Sequence, residues 1–443
     1  MENEKSTKFH LDRRNFMKKG SLIAGGLMAM PIISSANYFS GSDNVIKIAL
    51  IGCGGRGTGA AGQALSTAQN VQLVAMADAF SDRLESSLAN LKEALADKPG
   101  RINVGNNKFI GFDAYKQAIA MADVVILTTP PGFRPIHFEE AVRQGKHIFM
   151  EKPVATDPAG IKKVLDAAAI AKSKKLNVVV GLQRRYQNSY RELYKRFQDG
   201  LIGDMLAAQV WWNQGALWMK RRQANQTEME YQMRNWYYFT WICGDHIVEQ
   251  HIHNIDVGNW FMGETPDTAL GMGGRAVRTG KEYGEIFDHH AVEYRYKNGV
   301  VMNSQCRHWK DAPSRVDEEI VGTKGRILCD RATIVDHKGK VLYQFDKSKE
   351  NNPYQTEHDE LFAAIAKNEY KFADAERGAE ATLSAIIGRL STYSGQVIHW
   401  DQALNSGLSI QPQRYAFDAP PPVLPLEDGS YAHAKPGITK YFS

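Results

Sequence analysis

From residue 45 onward the chain alternates two kinds of segment. Continuous apolar runs, VIKIALIG, VQLVAMAD, ADVVILTTPP and HIFMEKP, are separated by stretches such as SDRLESSLANLKEALA and HFEEAVRQG, where apolar residues recur every three or four positions. Strands buried on both faces, alternating with amphipathic helices, predict a parallel sheet with helices on both sides. One more helix, PAGIKKVLDAAAIAKSKK, leads into the strand NVVVGLQRR. Near residue 185 the rhythm changes to longer strands and tight turns: MLAAQVWWNQG, DTALGMGGRAV, HHAVEYRYKNGVVMNSQCRHW, SRVDEEIVGTKGRILCD and ATIVDHKGKVLYQF. KNG and HKG read as hairpin turns between alternating segments. The expected second region is an open, mostly antiparallel sheet with one helix over 245–262 and two late helices over 358–368 and 375–393. The class is α/β, with a doubly wound parallel domain at 45–185 and an α+β domain at 186–410. The proline-rich tail 411–443 is expected to form an extended arm.

Composition narrows the function more than the fold. A chain of 443 residues, 43% of them apolar, exceeds the size at which single cores stop growing, so at least two lobes are expected. The formal charge of +5 is a small excess of 54 basic over 49 acidic side chains. Beyond the N-terminus only MKRR at 219–222 is a basic tract, and no nucleic-acid partner is expected. Cys53, Cys243, Cys306 and Cys329 lack metal-ligand spacing and form no disulfide framework; Cys306 and Cys329 fall on apparent strands and read as buried thiols. Residues 1–36 read as a twin-arginine export signal. Arg13 and Arg14 precede Phe16, an apolar run covers 22–33, and Ser34 to Ala36 supply small residues for cleavage. The run is short of the ~20 residues that span a bilayer, and no cysteine near the cleavage site suggests a lipid anchor. A periplasmic location is expected.

GCGGRG places Gly52, Gly54 and Gly57 in G-x-G-x-x-G spacing between a strand and a helix. The first glycine permits a tight turn, the second admits a pyrophosphate against the backbone, and the third lets helix pack on strand. Asp78, at the end of the second strand, is placed to accept hydrogen bonds from a ribose diol. No arginine follows it directly, so NAD is favoured over NADP. Lys152, at the end of the fifth strand, is suited to donate to a substrate oxygen, with Glu151 positioning it. Read in isolation, an exposed turn lysine is the stronger reading. GDHIVEQHIHNIDVGNW is rich in histidine; on one helix His246, Glu249, His253, Asp256 and Trp260 share a face while His251 points away. Glu249 and His253 are four apart and within reach. A carboxylate beside a histidine is compatible with a structural pair and with a general base. The spacing is neither H-E-x-x-H nor H-x-x-E-H, and no metal is expected there.

Together GCGGRG, Asp78, TTPP at 128–131, EKP at 151–153, the paired arginines of LQRRY, EQHIHNID and AIIGRLSTYSGQVIHWD resemble the Gfo/Idh/MocA oxidoreductases over nearly everything after residue 45. The family's D-x-x-x-H-x-x-D pattern falls on Glu249, His253 and Asp256, with glutamate in place of the usual aspartate. The resemblance implies a Rossmann domain that binds NAD through Gly52, Gly54, Gly55, Arg56, Gly57, Asp78, Thr129, Pro130, Glu151 and Lys152. It implies Lys152 and His253 as catalytic groups, with Glu249 as a supporting acid. Arg185, Tyr186, Asn213, Trp236 and Asp256 are then the candidates for binding a sugar or glycoside. The aromatic segments VWWNQGALWMKRR and RNWYYFTW read equally as a sugar platform and as sheet core. A homo-oligomer is expected. Two further activities stay open: a redox-neutral NAD-dependent glycosidase of the same fold, whose tyrosine ahead of the paired arginines is here Gln183, and an inactive nucleotide-retaining sugar-binding protein.

Overall fold

The computed structural model describes residues 45–442, and the export signal expected at 1–36 lies outside them. Strands β1 (Ile46–Ile51), β2 (Val71–Asp78), β3 (Lys108–Ile110), β4 (Val124–Leu127), β5 (His147–Met150) and β6 (Val178–Val180) form a wholly parallel sheet. Its order is β3-β2-β1-β4-β5-β6. The connections carry helices α1 (Gly55–Ser66), α2 (Ser81–Ala94), α3 (Ala114–Ala120), α4 (Arg134–Arg143) and α5 (Pro158–Ser173). Alternation along β1 sends Ile48 and Leu50 into one hydrophobic cluster and Ala49 and Ile51 into another, which is why its central run reads as unbroken apolar sequence. Strand order reverses between β1 and β4, the place where such sheets open a crevice.

The second sheet has nine strands: β7 (Met205–Gln214), β8 (Thr268–Gly274), β9 (His289–Arg295), β10 (Val301–His308), β11 (Arg315–Gly322), β12 (Gly325–Leu328), β13 (Thr333–Asp336), β14 (Val341–Gln344) and β15 (Ile398–His399). Its order is β14-β13-β12-β11-β7-β10-β9-β8-β15, antiparallel except where β7 meets β10. The KNG and HKG turns do join antiparallel neighbours, β9 to β10 and β13 to β14. Between and after these strands come α6 (Asn188–Gln198), α7 (Glu228–Arg234), α8 (Thr240–Cys243), α9 (His246–Glu249), α10 (Ile252–Met262), α11 (Pro353–Ala366), α12 (Ala375–Ser394) and α13 (Trp400–Asn405). Helix α12 packs against α5, α10, β8 and β9, and one core cluster runs from the first sheet through it into the second. Helix α11 returns to α1, and a bridge from Val178 to Ala373 adds chain from the second region beside β6.

Two element expectations are corrected. The segment 245–262 is two helices, α9 and α10, not one. In an unbroken helix the Glu249 carbonyl would accept from the His253 amide. Instead that amide donates to Gln250 O at 3.4 Å, and the Glu249 carbonyl accepts from Lys152 Nζ at 2.6 Å. The helix expected from 358 begins at Pro353, because Asn352 Oδ1 accepts from the Tyr354 and Gln355 amides and proline suits the first turn. The four cysteines are free and buried. Among the described residues beyond Gln411 there is no helix or strand apart from a bridge between Pro425 and Tyr431.

Candidate active site

A cavity of about 680 Å³ opens along the ends of β1, β2, β4 and β5 and reaches α9 and α10. At its floor the glycines divide into two kinds. Gly52 has φ +96, and a Cβ there would meet Thr129 N at 2.4 Å; a Cβ on Gly57 would meet Gly52 O at 2.0 Å. These two close the turn on the strand and on the helix. Gly54 and Gly55 have nothing within 4 Å of a built Cβ, so the start of α1 presents bare backbone to the cavity. Thr128 Oγ1 donates to Gly52 O at 2.7 Å and ties β4 to the turn. Asp78 accepts from the Cys53 amide at 2.6 Å and the Phe80 amide at 2.9 Å, one on each carboxylate oxygen. Burial pushes its pKa up while the two amides pull it down. Open amides at a helix N-terminus and a fixed carboxylate with remaining lone pairs fit a dinucleotide. Arg83, from the first half of α2, also lines this end, a position that the residues directly after Asp78 do not disclose.

At the other end of the cavity Lys152 Nζ donates to the Glu249 carbonyl at 2.6 Å and pairs with Glu249 Oε1 at 3.2 Å. The Lys152 and Glu249 side chains are 10% and 11% exposed, so the pair is largely shielded from water. Burial raises the Glu249 pKa and the Lys152 charge opposes the rise. The imidazole of His253 stacks on Trp212, with ring centroids 5.8 Å apart and an interplanar angle of 26°. Its Nδ1 is buried without a partner, which leaves Nε2 as the nitrogen available to the cavity. Burial first, then the charge of Lys152, holds its pKa well below the ordinary imidazole value. His253 is therefore a neutral ring able to accept a proton.

Gly52, Gly54, Gly55, Arg56, Gly57, Asp78, Thr129, Pro130, Glu151, Lys152, Trp236, Glu249 and His253 all line this one cavity. Four of the sequence candidates do not. Arg185 is locked in a two-pronged pair with Asp256, both contacts at 2.8 Å, and lies over the Trp260 ring. Tyr186 donates to Asp374, and Asn213 on β7 is also absent from the cavity wall. Two partner assignments change as well. Glu151 accepts from Arg56 Nε at 2.5 Å rather than orienting Lys152, and Glu249 pairs with Lys152 rather than with His253. Arg56 also reaches Glu357 on α11 and lies over the Tyr354 ring. Trp212, Trp218, Gln250, Gln183 and Tyr354 are among the further residues of the wall. Of these, the two tryptophans had a sequence signal that did not separate cavity from core, and Gln183 was marked only as the residue ahead of the paired arginines.

A model described as "Oxidoreductase family, NAD-binding Rossmann fold" matches residues 46–182, and one described as "GFO/IDH/MocA C-terminal domain" matches 190–328. An inositol 2-dehydrogenase of Rhizobium meliloti is 25% identical over 335 residues, 73% of this chain and 89% of that protein. A scyllo-inositol dehydrogenase of Lactobacillus casei, solved with NAD(H) and scyllo-inositol, superposes with a TM-score of 0.61 at 21% identity, covering 81% of this chain and 100% of that one. A levoglucosan dehydrogenase solved with NADH and levoglucosan gives a TM-score of 0.60 at 18% identity, covering 81% and 100%. With a glycine turn, Asp78 and a neutral histidine gathered on one NAD-binding scaffold, and both halves matched in order, the chain belongs to the Gfo/Idh/MocA oxidoreductase family.

Proposed function

We propose that this protein is an exported dehydrogenase that removes hydride from a ring-hydroxyl carbon of a sugar or glycoside and holds its NAD between turnovers. The observation that carries the reading is the meeting of Lys152, Glu249 and His253 on one wall of the cavity that begins at the glycine turn. Bound NAD supplies the hydride acceptor. Lys152 spends two N–H bonds on Glu249 and keeps a third to donate to the substrate oxygen, where negative charge develops. His253, neutral and held flat against Trp212, accepts the hydroxyl proton at Nε2. Trp218 and Trp236, 5.7 Å apart, offer apolar ring faces to the C–H face of a sugar. Relatives whose names carry inositol and levoglucosan support a polyhydroxylated ring as substrate.

Retention of the cofactor is supported by what covers the Asp78 end. Arg234 forms a two-pronged pair with Asp82 and lies 3.7 Å over the Phe80 ring. From the C-terminal tail, Phe417 packs on Phe80 and Phe112, and Tyr415 packs on Phe133. The twin-arginine segment at Arg13 and Arg14 supports export of a chain that folds, and loads its nucleotide, before crossing the membrane. Exposed Leu206, Leu270 and Met272 on the nine-stranded sheet support association into a homo-oligomer.

The test is to denature the purified protein and assay released nucleotide, then to supply a panel of glycosides while following nicotinamide absorbance and aglycone release together. Expected are bound NAD and net NADH with a ring-hydroxyl substrate. Aglycone release without net NADH would assign the redox-neutral cycle, and neither signal a sugar-binding protein. His253→Ala is expected to lower turnover by about 10²- to 10⁴-fold with nucleotide still bound; an unchanged rate removes His253 from the mechanism.

A further inference from the structure

Outside the cavity, Asp245, His246 and His290 form a compact group in which one ligand atom from each lies within 4.8 Å of the others. All three are buried, and none lines the cavity. We infer that this group binds one divalent transition-metal ion of the zinc class, joining the segment that leads into α9 to strand β9. The inference is independent of the substrate.

The backbone gives the first reason. Asp245 has φ 73 and ψ 162, a region that is essentially glycine's alone, so a side chain is tolerated there only where its surroundings hold it in place. Those surroundings aim the carboxylate inward. Oδ2 accepts from the Phe287 amide at 2.9 Å and from Tyr393 OH at 2.5 Å, while Oδ1 accepts from the His246 amide. Supporting bonds of this kind are what orient a ligating carboxylate.

The protons give the second reason. The Thr392 hydroxyl donates its only hydrogen to Arg389 O at 2.9 Å. With that hydrogen on Arg389 O, it accepts from His290 Nδ1, which lies 2.8 Å away. In the neutral ring Nε2 is then a bare lone pair, and it faces Asp245 Oδ2 at 3.3 Å. Lone pair against carboxylate is repulsive unless a proton or a metal cation lies between them. On the other carboxylate oxygen, His246 Nδ1 approaches Asp245 Oδ1 at 2.9 Å, and neither nitrogen of this fully buried ring has a hydrogen-bond partner. The two separations run from different carboxylate oxygens, 2.9 Å from Oδ1 and 3.3 Å from Oδ2, so an ion between the rings faces the edge of the carboxylate, and Oδ1, with one protein donor, keeps the freer lone pair. Two imidazoles and a carboxylate form a set suited to zinc and its neighbours rather than to magnesium or calcium.

The experiment uses the full chain with its bound nucleotide, purified without a metal-affinity step and dialysed into metal-free buffer. Elemental analysis is expected to find about one zinc-class ion per chain. Stripping with a strong chelator is expected to lower the melting temperature by about 5 °C or more, and adding zinc to restore it. His290→Gln and Asp245→Asn are expected to lose the ion and the response to chelator. Should either variant fail to fold, the metal content and chelator response of the wild type still decide. The inference is overturned by a wild type that carries no metal and is not stabilised by zinc, cobalt, nickel or manganese, which would leave a buried imidazolium paired with Asp245. A stoichiometric ion that persists in folded His290→Gln would overturn it equally.

Discussion

Glu249 fixes one of the catalytic candidates, Lys152, in a defined electrostatic relation. Its carbonyl and its carboxylate both take Lys152 Nζ, so the ammonium is oriented by two acceptors of one residue, while Oε2 stays buried without a partner. Glu249→Gln keeps the length and one acceptor but removes the charge that opposes Lys152. Turnover is expected to fall by about 10²-fold, with bound nucleotide unchanged by mass analysis of the denatured protein. Loss of nucleotide would instead place Glu249 in cofactor binding. His253 gives a second prediction at this scale. A base must be unprotonated to act, and burial together with the Lys152 charge holds this imidazole well below its usual pKa. The acidic limb of the kcat/KM profile is therefore expected below pH ~6.5, the ordinary imidazole value. A limb at or above that value would assign the titration to another group.

The strand–turn–helix unit at Gly52 to Gly57 separates chain packing from ligand binding within six residues. Gly57→Ala drives a Cβ to 2.0 Å from Gly52 O, an overlap with backbone that no side-chain rotation relieves. It is expected to cost about 1–3 kcal/mol of stability or more, read as a lower melting temperature. Gly54→Ala meets nothing within 4 Å in the chain. Its expected effect is loss of bound nucleotide with the melting temperature of the stripped protein unchanged. The division of labour among these glycines was legible in the sequence, because spacing after a strand fixes which backbone turns and which stays open. The break between α9 and α10 was not. It is made by Lys152, 97 positions earlier in the chain, capturing the Glu249 carbonyl, and no local period registers so distant a donor. The same limit explains Glu151, Arg185 and Asp256. Their sequence positions suggested substrate or lysine partners, whereas long-range arginine–carboxylate pairs claimed them.

At the scale of the whole molecule, the sheets followed from apolar period alone, but the dense set of buried ionisable groups did not. His137, His251, His253 and His358 are all buried. Desolvation lowers His137 and His251 to about 3 and holds His253 and His358 well below the usual value. In the unfolded chain each ring takes up a proton near pH ~6.5. Below that pH the unfolded state binds protons that the folded state refuses, so acid favours unfolding by about 1.4 kcal/mol per pH unit for each ring. The stability these groups contribute is complete above ~6.5 and is lost as pH falls toward their folded values. Glu249, Glu318 and Glu357 act in the opposite sense, because burial raises their pKa and the folded state protonates first. The carboxyl groups oppose the rings only down to pH ~4.3, where the acids of the unfolded chain protonate too, whereas His137 and His251 act on down to about 3. Thermal melts at constant ionic strength are therefore expected to show a melting temperature that declines most steeply below pH ~4.3, where the carboxyl groups no longer compensate and the rings still refuse protons in the folded state. A melting temperature that stays level from pH ~4.3 to ~3 would mean that these rings reach water in the folded protein, and a solvated His253 would lose the depressed pKa on which its role as a neutral base depends.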